Sequence, residues 1–154
     1  MSDLPKMVEI HEEGPREGFQ IEPGPISTAD KVKLIDALSE TGLKHIQICS
    51  FVNPRLVPGW SDAEAVVEAF NPVKDVTYTG LYFNGNGLDR ALHYKSKLTL
   101  LGSISLTASE GFTKKNLNRS HAENLTAMKR QAAAHLDNNI AVHRISIMAV
   151  SYTH

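Results

Sequence analysis

The sequence contains a single cysteine, Cys49, which excludes an internal disulfide and a zinc site built from cysteines. An excess of charge of either sign is also missing, since 16 Lys and Arg residues balance 17 Asp and Glu residues. A balanced charge gives no basic surface that would attract nucleic acid or an anionic membrane. We therefore expect no nucleic-acid partner and no membrane partner.

Long apolar runs are absent as well, and none approaches the roughly 20 residues that a membrane-spanning helix needs. Residues 1–5 lack the apolar core of a signal peptide and the Arg-rich character of a transit peptide. These absences together predict a cytoplasmic protein. The length of 154 residues is sufficient for one domain with a buried core.

The pattern that is present alternates strand-like and helix-like segments. Strands are predicted over residues 7–10, 44–52, 76–83, 98–106 and 141–150. Helical regions lie between them and start near Ser27, Ser61, Leu88 and Ser120. Such alternation is typical of a parallel sheet with helices packed outside it and with right-handed crossovers.

Capping signals and apolar spacing predict where the helices begin and which faces they bury. Ser61 with Glu64, and Ser120 with Glu123, match the capping-box pattern, and Gly42 occupies the position of a helix C-cap. The residues at helical spacing that predict buried faces are Leu34, Ile35 and Leu38; Val66, Val67 and Phe70; and Leu125, Met128, Ala132 and Leu136.

The connections after three of the strands are predicted to be long polar loops, over residues 14–30, 53–61 and 107–120. Elaborated loops at the carboxyl ends of parallel strands favour a barrel, in which they form the active-site face. A (β/α)8 barrel needs about 200 residues or more. Two interpretations therefore stay open: an open sheet, or part of a longer barrel protein.

The stretch from Glu12 to Gln20 carries most of the functional information. Gly14, Pro15 and Gly18 are expected to turn the backbone after the first strand and to present Arg16, Glu17 and Gln20 at its carboxyl end. An arginine there can bind a carboxylate or enolate oxygen, and a carboxylate can hold a divalent metal. The alternative is an exposed ion pair on a turn.

Three other positions have a functional and a structural interpretation. His11 suits a metal ligand, but a packed or solvated strand histidine is favoured. Cys49 is interpreted as a small buried thiol, because no histidine partner that would make it a nucleophile is identifiable. Gly85 and Gly87 are interpreted as turn glycines, because the third glycine and the acidic residue of a dinucleotide-binding loop are missing.

Four ordered stretches together resemble the hydroxymethylglutaryl-CoA lyase family, a group of metal-dependent TIM-barrel lyases and synthases with a pyruvate carboxyltransferase-like domain. These stretches are residues 8–20, 33–43, 50–55 and 112–118. The resemblance implies an α/β fold, the TIM (β/α)8 barrel. The chain would supply an N-terminal fragment of about four βα units plus a fifth strand, with residues 7–149 as the N-terminal half of the lyase domain.

The resemblance also implies a chemistry. The family reaction is a retro-Claisen cleavage of a 3-hydroxyacyl-CoA into acetyl-CoA and a keto acid, as in leucine degradation, and it uses Mg²⁺ or Mn²⁺. By position, Arg16 matches the catalytic arginine and Glu17 the metal ligand, while Gln20, Gln47 and Ser50 match substrate-binding positions. The implied partner is an acyl-CoA substrate, and the full-length protein is expected to be a homo-oligomer.

Two positions depart from the family pattern. Glu17 stands where the family usually has aspartate, and its extra methylene moves the carboxylate by roughly one C–C bond, about 1.5 Å. Mg²⁺ tolerates little geometric error, so this change bears on metal binding. Gln47 stands where the lyases carry a glutamate, and an amide lacks the charge and basicity of a carboxylate. A divergent subfamily with another substrate remains open.

The family's later His-x-His metal ligands and its catalytic cysteine loop have no match in these 154 residues. We therefore expect the chain alone to be inactive, and we expect residues 150–154 to be a non-native tail. Exposed strand edges predict aggregation or dimerisation. The alternatives are an acyl-CoA condensing enzyme of the isopropylmalate or homocitrate synthase type, and a non-catalytic half-barrel binding module.

Overall fold

The computed structural model describes residues 3–149, which divide after Leu100 into two compact units. The first unit holds a parallel three-stranded sheet in the order β1-β2-β3, and the second holds a parallel pair, β4-β5. These strands are β1 (His11–Glu12), β2 (His45–Ser50), β3 (Thr77–Leu81), β4 (Gly102–Thr107) and β5 (Val142–Met148). The predicted parallel α/β architecture is therefore confirmed.

Helices separate the strands in the described part of the chain, so that four βα units precede the fifth strand. A 3₁₀ turn at Pro58–Trp60 lies before the third helix. The helices are α1 (Gly14–Ile21), α2 (Thr28–Ser39), α3 (Ala63–Ala69), α4 (Gly85–Leu92), α5 (Glu110–Leu117) and α6 (His121–Asp137). Among the described residues, no helix is long and apolar enough to cross a membrane.

The first strand differs from its prediction. Residues 7–10 are not in a strand, and the two-residue β1 begins at His11, which lies opposite His45. The reason is that β2 starts only at His45, so the residues before His11 run beyond the strand that would pair with them. Met7 is accordingly 87% exposed.

The remaining strands are confirmed: β2, β3 and β5 have shorter limits than predicted, whereas β4 begins later and ends one residue beyond its predicted limit. Residue 150 of the predicted fifth strand lies outside the described residues. A register shift between Gln47 and Cys49 interrupts the predicted alternation of β2. Ile48, Cys49 and Ser50 are consequently all buried in succession. Burial raises the pKa of the Cys49 thiol, which fits the predicted structural role.

The three predicted long loops were wrong, because each contains helical structure. Residues 14–21 form α1, in which Pro15 occupies the first turn, where a missing backbone N–H leaves no hydrogen bond unmade. The Pro58–Trp60 turn occupies the second loop. The third holds α5, whose N-cap Ser109 accepts a hydrogen bond from the backbone N–H of Phe112.

The capping signals have different outcomes. Ser120 and Glu123 form the predicted capping box at the start of α6, and Ser27 caps α2. The box predicted at Ser61 was wrong, because α3 begins at Ala63. Glu64 instead accepts hydrogen bonds from the Arg90 guanidinium, with an Nη2–Oε2 distance of 2.9 Å.

The predicted buried residues Val66, Val67 and Phe70 are confirmed. The prediction for α2 is confirmed only at Ile35, since Leu38 is half-buried and Leu34 is exposed. In α6, the predicted Leu125 and Leu136 are exposed, whereas Asn124 and His135 are buried. The buried face is thus rotated by about one residue. Helix α6 packs on β4, where Gln131 Nε2 donates to the Ser103 carbonyl at 3.3 Å.

Candidate active site

The Gly-Pro-Arg-Glu motif lies in the first turn of α1, directly after the carboxyl end of β1. The proline fixes a helical φ at the start of α1, so the next side chain projects from a defined position. Arg16 is that side chain, and it is 13% exposed. The motif is therefore the beginning of a helix instead of the open turn expected from its glycines.

Three side chains hold the Arg16 guanidinium. Its Nε donates to Gln47 Oε1 on β2 at 2.7 Å, and its Nη2 donates to Glu13 Oε2 at 2.7 Å. Its Nη1 also contacts the Glu17 carboxylate. The structure therefore brings together Arg16, Glu17 and Gln47, which are three of the five predicted site residues.

The backbone of Arg16 is fixed by Trp60, whose Nε1 donates to the Arg16 carbonyl at 2.9 Å. Trp60 is fully buried, and its ring lies 4.9 Å from the Lys31 ammonium. That ammonium donates to Asp62 Oδ1 and to the Gly59 carbonyl, both at 2.6 Å. The buried Trp60 ring thus fixes the backbone of Arg16, and the charge-assisted pair of Lys31 with Asp62 lies against that ring.

Glu17 supplies one carboxylate to this centre, and its side chain is 52% exposed. Hard ions such as Mg²⁺ and Mn²⁺ accept carboxylate oxygens, often with only one or two carboxylates and additional water or substrate oxygens. Within residues 3–149, no group of three His, Cys, Asp or Glu side chains forms around Glu17. The Glu17 carboxylate has the chemistry of a single ligand for such an ion.

The other two predicted residues lie in different settings. Gln20 is half-buried on α1, where the helix backbone packs against Gly59 so closely that a Cβ at Gly59 would lie 2.5 Å from the Phe19 carbonyl oxygen. Ser50 is the last residue of β2 and is fully buried, and its Oγ has no hydrogen-bond partner among the described residues. Because buried hydroxyls normally have a partner, the unpaired state of the Ser50 hydroxyl needs an explanation, and contact with a ligand is one candidate.

A cavity of about 360 Å³ opens at the carboxyl ends of β2 and β3, beside the start of α4. Arg90 shapes it by donating from Nη1 to the Val52 carbonyl at 2.9 Å, while Glu64 holds the rest of the guanidinium. This hydrogen bonding lowers the pKa of Glu64. The lining residues are Phe51, Val52, Asn53, Pro54, Arg55, Asn84, Asn86, Gly87 and Arg90.

Sequence reasoning missed Glu13, Trp60 and the pair of Glu64 with Arg90. Glu13 was detectable, because it lies three residues before Arg16 and the two become neighbours once α1 is recognised as a helix. Trp60 and Arg90 reach their partners across 44 and 26 residues. Such contacts depend on tertiary packing and leave no local pattern.

The chain is similar in sequence to proteins that are described as hydroxymethylglutaryl-CoA lyases. Hydroxymethylglutaryl-CoA lyase YngG of Bacillus subtilis (strain 168) is 41% identical over 131 residues, which cover 82% of this chain and 41% of that protein. The mitochondrial hydroxymethylglutaryl-CoA lyase of Macaca fascicularis is 41% identical over 142 residues, which cover 92% and 43%. No family model matches the chain.

Solved structures give the same result. The crystal structure of the Bacillus subtilis HMG-CoA lyase superposes with a TM-score of 0.81 and 38% identity, over 93% of this chain and 47% of that chain. Fold and sequence together define the N-terminal part of a parallel α/β TIM barrel. The chain belongs to the hydroxymethylglutaryl-CoA lyase family. It spans about two fifths of the length of the curated relatives named above.

Proposed function

We propose that the protein to which this chain belongs is a carbon–carbon lyase that cleaves a 3-hydroxyacyl-CoA, hydroxymethylglutaryl-CoA in the first instance, into acetyl-CoA and acetoacetate. The single observation that carries this proposal is the placement of the Arg16 guanidinium after β1, where Gln47 and Glu13 hold it. The carboxyl end of parallel strands is where catalytic groups of barrel enzymes lie.

Arg16 would bind the thioester carbonyl oxygen and stabilise the negative charge that develops on it when the C–C bond breaks. A preorganised donor of this kind is effective because it is already oriented before charge develops. The hydrogen bond from Arg16 Nε to Gln47 Oε1 serves that orientation. Gln47 is thus a positioning residue in this proposal, and its neutral amide adds no third negative charge to those of Glu13 and Glu17 beside the guanidinium.

A divalent ion, Mg²⁺ or Mn²⁺, would be held in part by Glu17, and when bound it would polarise the substrate oxygens. In the structure the Glu17 carboxylate contacts Arg16, so the two residues are already adjacent. The longer side chain of glutamate, compared with the family's aspartate, would place its carboxylate farther from the backbone of α1.

The acyl-CoA would occupy the carboxyl side of β2 and β3. Ser50 offers a buried hydroxyl without a protein partner, and the neighbouring cavity offers asparagine and arginine side chains for polar groups of the ligand. Gln20 would contact the substrate from α1. The relatives named above are lyases by description, which supports cleavage over condensation. A cytoplasmic location and a homo-oligomeric state are the further expectations.

The decisive experiment uses the full-length protein, with hydroxymethylglutaryl-CoA and MgCl₂, and measures acetoacetate. We expect turnover in the wild type and a loss in kcat of about 10²–10³-fold in Arg16→Gln, the magnitude typical of removing one preorganised donor to a developing oxyanion. Arg130→Gln is the matched control, since Arg130 is an exposed arginine on α6 that is absent from the Arg16 contacts and from the cavity lining.

Absence of acetoacetate production by the wild type, or equal kcat values for the wild type and Arg16→Gln, would overturn the proposal. Net condensation of acetyl-CoA with a keto acid would instead favour the synthase alternative. A protein limited to these 154 residues is expected to show no turnover, because Glu17 alone cannot complete a metal site.

A further inference from the structure

A second group of potential metal ligands lies at the amino end of the three-stranded sheet. His11 opens β1 and His45 opens β2, and the parallel register places the two residues directly opposite each other. Neighbouring strands lie about 4.8 Å apart, so side chains on one face of such a pair meet. The two imidazole rings are stacked with centroids 4.3 Å apart.

Glu9, two residues before His11, completes the group. Its Oε1 lies 3.4 Å from Nε2 of His11 and also contacts Nε2 of His45. One ligand atom from each of the three residues lies within 4.8 Å of the other two. A tetrahedral ion with bonds of about 2.0–2.1 Å requires ligand atoms roughly 3.4 Å apart. The Glu9–His11 separation already meets this requirement.

The side chains of this group are able to rotate until all three ligand atoms reach the separations that a tetrahedral ion requires. The side chains of Glu9 and His11 are 57% and 59% exposed, so rotation about their χ angles meets little packing resistance. His45 is 28% exposed and provides the fixed member on β2. Convergence of the two imidazoles on one ion requires one stacked ring to rotate, and the exposed His11 ring is the one placed to do so.

Two imidazole nitrogens and one carboxylate suit Zn²⁺, Co²⁺ or Ni²⁺. The position of this group distinguishes it from the Glu17 centre. His45 precedes Gln47 by two residues, about 7 Å along the strand and toward its amino end, whereas Gln47 contacts Arg16.

We propose that Glu9, His11 and His45 form a site for a transition-metal ion of the Zn²⁺ class, which fastens the short strand β1 to β2 at the amino end of the sheet. Strand β1 pairs with β2 through only two residues, so a shared ion would add a link where the ladder is shortest. In barrels, features at the amino ends of strands serve stability, and chemistry lies at the carboxyl ends.

The test uses the full-length protein after removal of metal with a chelator, titrated with ZnCl₂ by calorimetry and with CoCl₂ by visible absorption. We expect Zn²⁺ to bind in the presence of excess MgCl₂ and to raise Tm. Loss of one ligand in His45→Gln or Glu9→Gln is expected to weaken the affinity about tenfold or more. Glu9→Gln is the variant expected to fold normally, because Glu9 lies outside the strand, so weaker binding in it reports the loss of a ligand.

Two matched variants make the assignment specific. His121→Gln removes an exposed histidine on α6 and is not expected to change the Zn²⁺ affinity. Glu17→Gln disables the separate centre beside Arg16, and the Zn²⁺ site that His45→Gln weakens should persist in this variant. The proposal is overturned if the wild type binds no Zn²⁺, if His121→Gln weakens binding as much as His45→Gln, or if only Glu17→Gln weakens it. These outcomes are independent of whether Arg16→Gln loses lyase turnover.

Discussion

The two units of the chain are built from the same βα pattern but bury it to different degrees. In the first unit, β2 and the helices around it contribute Ile46, Ile48, Phe51 and Trp60 to a core in which each is at most 2% exposed. In the second unit, every residue of β5 after Val142 is exposed, including Ile147 at 69%. An apolar residue in a strand is therefore not sufficient for burial.

The difference follows from what covers each strand. Strand β2 has a partner on both edges and helices on its face, whereas β5 pairs in the described residues only with β4. Parallel sheets in α/β proteins normally have both faces covered. All five proposed site residues also lie in the first unit, so the part of the chain with the complete core carries the candidate chemistry.

The largest loss in the free energy of unfolding is expected from substitution of Trp60, which lies in the core of the first unit. Trp60→Ala is expected to lower the free energy of unfolding by about 3–5 kcal/mol, because it leaves a large cavity. Trp60→Phe keeps most of the volume and loses the hydrogen bond to the Arg16 carbonyl, worth about 1 kcal/mol. Urea unfolding followed by circular dichroism measures both. Equal losses would mean that packing is not the main contribution of Trp60.

A smaller effect is expected from the buried ammonium beneath Trp60. Lys31→Met removes its hydrogen bonds to Asp62 and Gly59, for an expected loss of about 2 kcal/mol in the free energy of unfolding. Lys33→Met, an exposed change on the same helix, is the control and should stay within about 0.5 kcal/mol. Similar values for the two variants would contradict the structural role of Lys31.

The second unit should respond to acid through His135, which is fully buried on α6. Burial lowers the pKa of His135 below its ordinary 6.5, so the unfolded chain binds the proton more readily than the folded chain. The contribution of His135 to stability is therefore complete above pH 6.5 and falls as the pH drops below that value, by at most about 1.4 kcal/mol per pH unit.

Amide hydrogen exchange at pH 7.5 and pH 5.5 distinguishes the two units. Protection in α6 and β4 should decrease at the lower pH more than protection in β2 and β3, after correction for intrinsic exchange. His121→Gln, on the same helix but exposed, should leave this pH dependence unchanged. A uniform loss across both units would exclude His135 as the source.

The smallest effect is expected on β5. Ile147→Thr should change the free energy of unfolding by no more than about 0.5 kcal/mol, since the side chain is already exposed. The same change at Ile46, which is 1% exposed, should be strongly destabilising. Ile147→Thr should also reduce the self-association predicted from the exposed edges, as measured by analytical ultracentrifugation. An unchanged association constant would place the contact elsewhere.

Sequence patterns predicted which strands and helices exist, and their order, better than they predicted the residues at which each one begins and ends. The alternation of strands and helices, the Ser120–Glu123 capping box and the buried Val66 and Val67 all follow from interactions within a few residues, so they are visible locally. The helix α1 was missed because Gly14, Pro15 and Gly18 suggest a turn, whereas Pro15 in the first turn is fully compatible with a helix.

The candidate site shows the same difference between what local sequence patterns reveal and what the tertiary structure adds. Motif matches alone identified Arg16, Glu17, Gln20, Gln47 and Ser50 as candidates, and the roles of these residues remain proposals. The structure added their arrangement: Arg16 is held by Gln47 across 31 residues, and Ser50 is buried with its hydroxyl unpaired. No local pattern encodes such distances.

The sequence by itself determined the family, the parallel α/β class and the order of the elements, because periodicity and capping act over short ranges. Only the tertiary structure decided which faces are buried, since burial depends on the neighbouring elements that cover each surface. It alone also decided that Trp60 anchors Arg16 and that Glu9, His11 and His45 meet at the amino end of the sheet. Strand register and helix packing set those contacts, and both arise between segments distant in the chain.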